Sequence, residues 1–178
     1  MKMSQENEVL HALTHRRSIR KYKSDAVPTE LIDAIVEAGL YAPSGMGKQP
    51  VIILAITNKE IRDKLATINA QIMGMEGDPF YGAPVVLVVL ANTERPTYVY
   101  DGTLVMENLM LAAHSVGLGS CWIHRAKETF ERDEWKQFLK DLHIDGEYEG
   151  IGNCIIGYAD MEDPKAVRRL SNRVYHVD

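Results

Sequence analysis

At 178 residues, 46% of them apolar and 25% charged, the chain has the make-up of one ordinary globular domain with enough length to bury a core. Twenty-five acidic against twenty basic residues give a formal charge of −5, which disfavours general affinity for nucleic acid or for membrane surfaces. The start, "MKMSQENEVL", holds no secretory-type apolar run, the longest apolar run (residues 83–91) is too short to cross a bilayer, and two cysteines, Cys121 and Cys154, make reduced thiols in a cytoplasmic protein the simpler expectation.

In chain order, residues 5–15 read as a helix with Val9, Leu10 and Leu13 on one side. Residues 29–41 form a clearer one: Leu31, Ile32, Ile35, Val36 and Ala38 recur at helical spacing, Pro28 suits the entry and Pro43 ends it. "VIILAIT" (51–57) reads as a buried strand, and residues 58–72 as a helix capped by Asn58. A Gly/Pro loop spans 74–84, followed by "VVLVVLA" (85–91), apolar on both faces and so central. Residues 98–116 predict a long helix that is apolar nearly all round, which places it in the core or in a subunit interface. "GSCWI" is a short strand, 128–141 one amphipathic helix carrying Trp135, Phe138 and Leu139, and "IGNCIIGY" (151–158) a last core strand. The tail from Ala159 is polar and basic, an arm with no core of its own. One domain, 1–178, is expected, and alternation of helices and strands by itself suggests a doubly wound parallel sheet.

An acidic chain that gathers Arg16, Arg17, Arg20 and Lys21 around Ser18 invites an explanation. A phosphate monoester calls for forked guanidinium donors and a hydroxyl at short range, and "RRSIR" supplies both. In extended backbone, residues 16, 18 and 20 share one face and Arg17 takes the other. A solvated basic surface accounts for the same residues equally simply. "YAPSGMGKQP" (41–50) joins a helix to a buried strand, either as a plain connection or as one of the strand-end loops where α/β proteins hold ligands. "GLGSCWIH" (117–124) is another Gly-rich turn into a strand, and the tail adds Arg168, Arg169 and Arg173. Rival chemistry is thin. His11 and His15 have zinc-compatible spacing, but Ala12 stands where a zincin has its acid, so no metal is expected. Cys121 reads as a buried structural thiol, and Glu107 and His114 as polar groups of an interface helix.

In this order, "RRSIRKY", "VPTELIDAIVEAGLYAPSGMGKQP", "DGTLVMENLMLAAHSVGLGSCWI" and "GIGNCIIGYAD" with the basic tail resemble the nitroreductase family of FMN flavoproteins over nearly the whole chain. The resemblance implies an α+β fold, with a central, mainly antiparallel sheet wrapped by helices. It implies an interlocked homodimer with FMN at the interface and a C-terminal arm on the partner. The implied activity is ping-pong reduction of nitroaromatics, quinones or similar small acceptors by NADH or NADPH, with the flavin carrying the chemistry. The alternatives are a related flavin reaction on one metabolite (dehydrogenation, dehalogenation or flavin destruction) or a non-catalytic flavin-binding protein. Carried over, Arg16 and Ser18 match the phosphate and ribityl contacts, Arg17 a ribityl contact, and Arg20 the cation beside flavin N1, where reduced flavin is anionic. Pro43, Ser44, Gly45 and Gln49 match a loop packing the flavin edge from the other subunit. Trp122 and Ile123 match backbone contacts near N5 and O4, and Arg168 and Arg169 the C-terminal phosphate cations. Gly47 stands where the family usually has Asn.

Overall fold

The computed structural model describes residues 7–177. Strands β1 (Val51–Ile56), β2 (Val85–Asn92), β3 (Gly119–Ile123) and β4 (Tyr148–Gly157) form one sheet in the order β1-β2-β4-β3, and every pair is antiparallel. The doubly wound parallel sheet suggested by element order alone is therefore wrong, and the antiparallel sheet implied by the resemblance is right. One loop makes the difference between β1 and β2. Helix α3 (Lys59–Met73) carries the chain away from the end of β1, and residues 74–84 carry it back to α3's first turn. There Arg62 holds the returning chain: its Nε donates to the Ala83 carbonyl at 3.0 Å, its Nη2 pairs with Asp78, and its guanidinium lies over the Phe80 ring. β2 thus starts at the end where β1 finished, and Ile56 pairs with Val86.

Helices cover both faces, which is why β2 is apolar throughout although its neighbours are antiparallel. Val86, Val88 and Leu90 face α3 together with α5 (Ala126–Phe130) and α6 (Asp133–Asp141). Val85, Leu87 and Val89 face α2 (Thr29–Leu40) and α4 (Tyr98–Ser115). The single helix expected over 128–141 is two. Arg132 is extended (φ −73°, ψ 141°), and the break lets Phe130 and Trp135 both turn into the core with ring centroids 5.3 Å apart. β4 begins three residues earlier than expected and carries a bulge: Val89 faces Gly152 and Leu90 faces Gly150, leaving Ile151 as the extra residue.

α4 is the central helix of its face. Val105, Met106, Leu109 and Ala113 are buried, whereas Val99, Tyr100 and Leu104 stay exposed on its other side. Helix α1 (Glu8–His15), capped by Asn7 Oδ1 accepting the Leu10 N–H, packs on α4 but buries none of its own residues. Val9, Leu10 and Leu13 remain exposed. Beyond Gly157 no helix or strand forms among the described residues, and Val167, Leu170, Val174 and Tyr175 of the arm are exposed. No helix among the described residues is long and apolar enough to cross a membrane.

Candidate functional site

The basic segment is stitched onto the free edge of β3. Arg16 is the C-cap of α1, with φ −51° and ψ 135°, so the chain leaves the helix extended. Ile19 N–H then donates to the Ser120 carbonyl at 3.0 Å, Ser18 bridges Ser120 in parallel, and Lys23 N–H donates to the Tyr158 carbonyl at 2.9 Å. Ile19 and Tyr22 are the buried anchors, and the Tyr22 hydroxyl donates to the Ile19 carbonyl. Gly119 makes the approach possible, since a Cβ there would lie 2.9 Å from Ile19 Cγ1.

This docking encloses a cavity of about 230 Å³ lined by Arg16, Arg17, His114, Gly119, Ser120 and Asp163. Of the lining residues, Arg16 has a buried Nη1 with no hydrogen-bond partner among the described residues. A buried cationic donor left unpartnered is costly, and an anion is the group that satisfies it. Arg17 Nη1 instead donates to the carbonyls of Thr14 and Arg16, at 2.9 and 2.8 Å. Burial holds the His114 imidazole below its usual range; Asp163 pulls it up, while His11, Arg16 and His15 push it further down.

The expected division of faces, with Arg16, Ser18 and Arg20 together and Arg17 opposite, is corrected. Arg16 and Arg17 share the cavity, because the chain is still turning out of α1 at Arg16, and neither Ser18 nor Arg20 lines it. Arg20 is exposed, and its backbone N–H meets Met161 Sδ at 3.5 Å. Trp122 and the cavity-lining Ser120 lie two residues apart on β3, about 7 Å. Trp122 lines a second cavity of about 400 Å³ with Thr103, His124, Lys127 and Glu149. Its indole lies over Gly152, and Nε1 is buried with no partner among the described residues. Ile123 is buried. The following turn is tightly held: Asn69 and Asn153 both donate to the His124 carbonyl, at 2.7 and 3.3 Å, and Arg125 sits at φ +80°.

Loop 43–49 belongs to the other end of α4. Gly45 N–H donates to Asp101 Oδ1 at 2.9 Å, while Asp101 Oδ2 accepts from Thr97, also at 2.9 Å. Ser44 Oγ accepts the Gln49 N–H. Pro43, Gly47 and Gln49 are exposed. Gly47 has φ +65°, a conformation that Asn also tolerates, and nothing lies within 4 Å of a Cβ built there. Asp101 and His114 are thirteen residues apart on one helix, about 20 Å. The loop and the basic cavity of one chain therefore do not meet. Arg168 and Arg169 lie exposed on the arm, with no ion pair among the described residues. His11 and His15 stack on each other, centroids 3.9 Å apart, with His15 Nδ1 turned to the His11 carbonyl. The sequence reading missed Asp101, Ser120 and Asp163, and it assigned His114 to an interface; the acidic residue in the first turn of a helix that reads as apolar nearly all round was the available signal for Asp101.

An antiparallel sheet between two helical layers, with an arginine-lined cavity where the N-terminal segment crosses its edge strand, defines an α+β protein. The profile of the Nitroreductase family matches residues 13–158, and the chain belongs to that family. A protein of Methanothermobacter thermautotrophicus, provisionally named NADH dehydrogenase/NAD(P)H nitroreductase, is 34% identical over 119 residues. That match takes in 65% of this chain and 60% of the relative's length. Two nitroreductase crystal structures with bound FMN are each 26% identical. The one from Bacteroides fragilis has a TM-score of 0.84, covering 97% of this chain and all of its own. The one from Desulfitobacterium hafniense has a TM-score of 0.85, covering 98% and all of its own.

Proposed function

We propose that the protein is an FMN-dependent oxidoreductase that draws electrons from NADH or NADPH and delivers them to a small electron-poor acceptor, such as a nitroaromatic or a quinone. The observation that carries this reading is Arg16, with a buried and unpartnered Nη1, lining a cavity together with Arg17 and His114 against the single acid Asp163. A phosphate monoester supplies both the charge and the acceptors that this donor lacks. The FMN seen in related structures and the name of a Bacillus subtilis relative, FMN reductase [NAD(P)H], 36% identical over 90 residues, point the same way.

The chemistry FMN supplies when bound is acceptance of hydride from the nicotinamide and its delivery to the acceptor on alternate visits. The chain's own residues position and polarise. Arg16 and Arg17 would hold the phosphate, with Ser120 on the same cavity wall and Ser18 bridged to Ser120 outside it. Arg20, exposed on the same segment, would place positive charge near the N1 side of the ring, where reduction leaves negative charge. The main chain at Trp122 and Ile123 would meet the edge of the flavin ring, and the Asn69 and Asn153 amides hold the next carbonyl, that of His124. Loop 43–49, carrying Pro43, Ser44, Gly45, Gly47 and Gln49, lies some 20 Å along α4 from its own chain's cavity, and so serves the site of a second copy. The exposed apolar residues of α1, α4 and the arm, among them Val9, Leu13, Tyr100, Leu104 and Leu170, are the surface that such a homodimer covers.

The purified protein is expected to show flavin absorbance or to take up FMN in preference to FAD. It is then expected to oxidise NADH or NADPH with a nitroaromatic, and to sediment as a dimer. Preference for FAD, or bound FMN without turnover of any such acceptor, overturns the assignment.

A further inference from the structure

We propose that His114 is a third cation of the phosphate site, that the phosphate binds its protonated form in preference to the neutral one, and that FMN binding therefore takes up a proton. This rests on the FMN reading above. His114 shares the cavity with Arg16 and Arg17, and it sits in the last turn of the 18-residue helix α4, where the helix dipole favours an imidazolium. The charged groups facing it come from three elements. Arg16 and Arg17 lie on the docked N-terminal segment, His11 and His15 on α1, and Asp163 on the arm. Without an anion, burial and the neighbouring cations oppose protonation, and Asp163 is the one group acting the other way.

A phosphate monoester reverses that balance. It brings close to two negative charges to the cavity wall that His114 shares with Arg16, whose buried Nη1 is unpartnered among the described residues. A neutral imidazole offers the phosphate oxygens one N–H donor and no net charge; an imidazolium offers two N–H donors and a positive charge, so the phosphate favours the protonated form. The proton is thus bound with the ligand. His15 is not placed to replace it, since its Nδ1 lies 3.0 Å from the His11 carbonyl, its ring stacks on His11, and neither ring lines the cavity. The sign follows. Because the bound-state pKa of His114 lies above its free-state value, its contribution is complete below the free value. It is lost as pH rises through the bound value. The phosphate itself takes up a proton below about pH 6, so the effect of His114 is read above that pH.

Calorimetric titration of the flavin-free full chain with FMN at pH 7.5, in two buffers of different ionisation enthalpy, is expected to show net proton uptake. FMN affinity is expected to fall roughly three- to fivefold between pH 6.5 and 8.5, the part of the tenfold from one pKa unit of coupling that lies above pH 6.5. Riboflavin, which lacks the phosphate, is expected to bind with no proton uptake. His114→Gln is expected to abolish the uptake and flatten the pH profile. His114→Lys, a fixed cation, is expected to restore affinity at pH 8.5 without restoring the slope, while His15→Gln keeps wild-type behaviour. If wild-type protein binds FMN with no proton uptake, or His114→Gln leaves the uptake intact, the role of His114 is wrong and the FMN site stands. If FMN fails to bind wild-type protein at any pH, both are wrong.

Discussion

Two segments bring arginines toward the same place by different means. Residues 16–23 are tied to β3 and to Tyr158, the residue after β4, by main-chain hydrogen bonds at Ile19 and Lys23 and by the buried side chains of Ile19 and Tyr22. The arm beyond Asp163 has none of these ties: Arg168 and Arg169 are exposed and lie in no helix or strand. The charge is equal; the ordering is not. For Arg16 the entropy of fixing the side chain is largely lost on folding, offset by the burial of Ile19 and Tyr22, so a ligand meets a donor already in place. For Arg168 and Arg169 that entropy is still to be lost when the ligand or a second subunit arrives. Two arginines of one formal charge should therefore contribute very differently to holding FMN.

The largest effect is expected at Arg16. Arg16→Ala removes a charge-assisted hydrogen bond of about 1.5–3 kcal/mol, roughly ten- to a hundred-fold in FMN affinity by fluorescence titration. Since its Nη1 has no partner in the described chain, the same change should not lower the melting temperature of the flavin-free protein. It should remove most of the rise in melting temperature that FMN produces. A flavin-free variant that melts well below wild type would mean that Arg16 holds the fold rather than the ligand. Next comes Gly119→Ala, which touches no charge. Its Cβ would press on Ile19 at 2.9 Å and loosen the docked segment, so FMN affinity is expected to drop about tenfold with all arginines present. Unchanged affinity would show that docking on β3 does not preorganise Arg16.

The same contrast explains what could be read from the sequence. Helical periodicity located α2 and α4, and composition located β2, because burial writes those patterns directly into the chain. Strand direction was not so written. An antiparallel β2 covered by helices on both faces has the same apolar run as a parallel one, and its direction depends on Arg62 reaching Asp78 and Ala83 from elsewhere in the chain. The family resemblance supplied what local pattern lacked. The basic cluster was legible as charge, but the grouping of Arg16 with Arg17 and His114, instead of with Ser18 and Arg20, depends on where α1 ends and on which residue of α4 faces the cavity. Spacing within "RRSIR" holds neither fact.

Arg20 tests a role that burial does not predict, since it is exposed beside Met161. Arg20→Ala is expected to leave binding of oxidised FMN within a few-fold of wild type. It should lower the two-electron midpoint potential by on the order of 30 mV, the equivalent of about 1.4 kcal/mol lost from the reduced form. An unchanged potential would remove Arg20 from the N1 side of the ring.

The smallest effect belongs to the arm. Arg168→Ala and Arg169→Ala each remove an exposed charge, a contribution in the range of about 0.2–1 kcal/mol, and so at most about fivefold in FMN affinity. Salt separates them from Arg16 more sharply than size does. Charges in open solvent are screened beyond about 8 Å at 0.15 M salt and about 3 Å at 1 M. A short, buried hydrogen bond to Arg16 Nη1 is screened far less. In 1 M salt the arm variants are therefore expected to bind FMN like wild type, while Arg16→Ala keeps most of its deficit. If an arm variant retains its full loss in high salt, its arginine is desolvated against the ligand. That can happen only if a second subunit or the ligand itself orders the arm, and the contrast between the two arginine segments would then hold for the isolated chain alone.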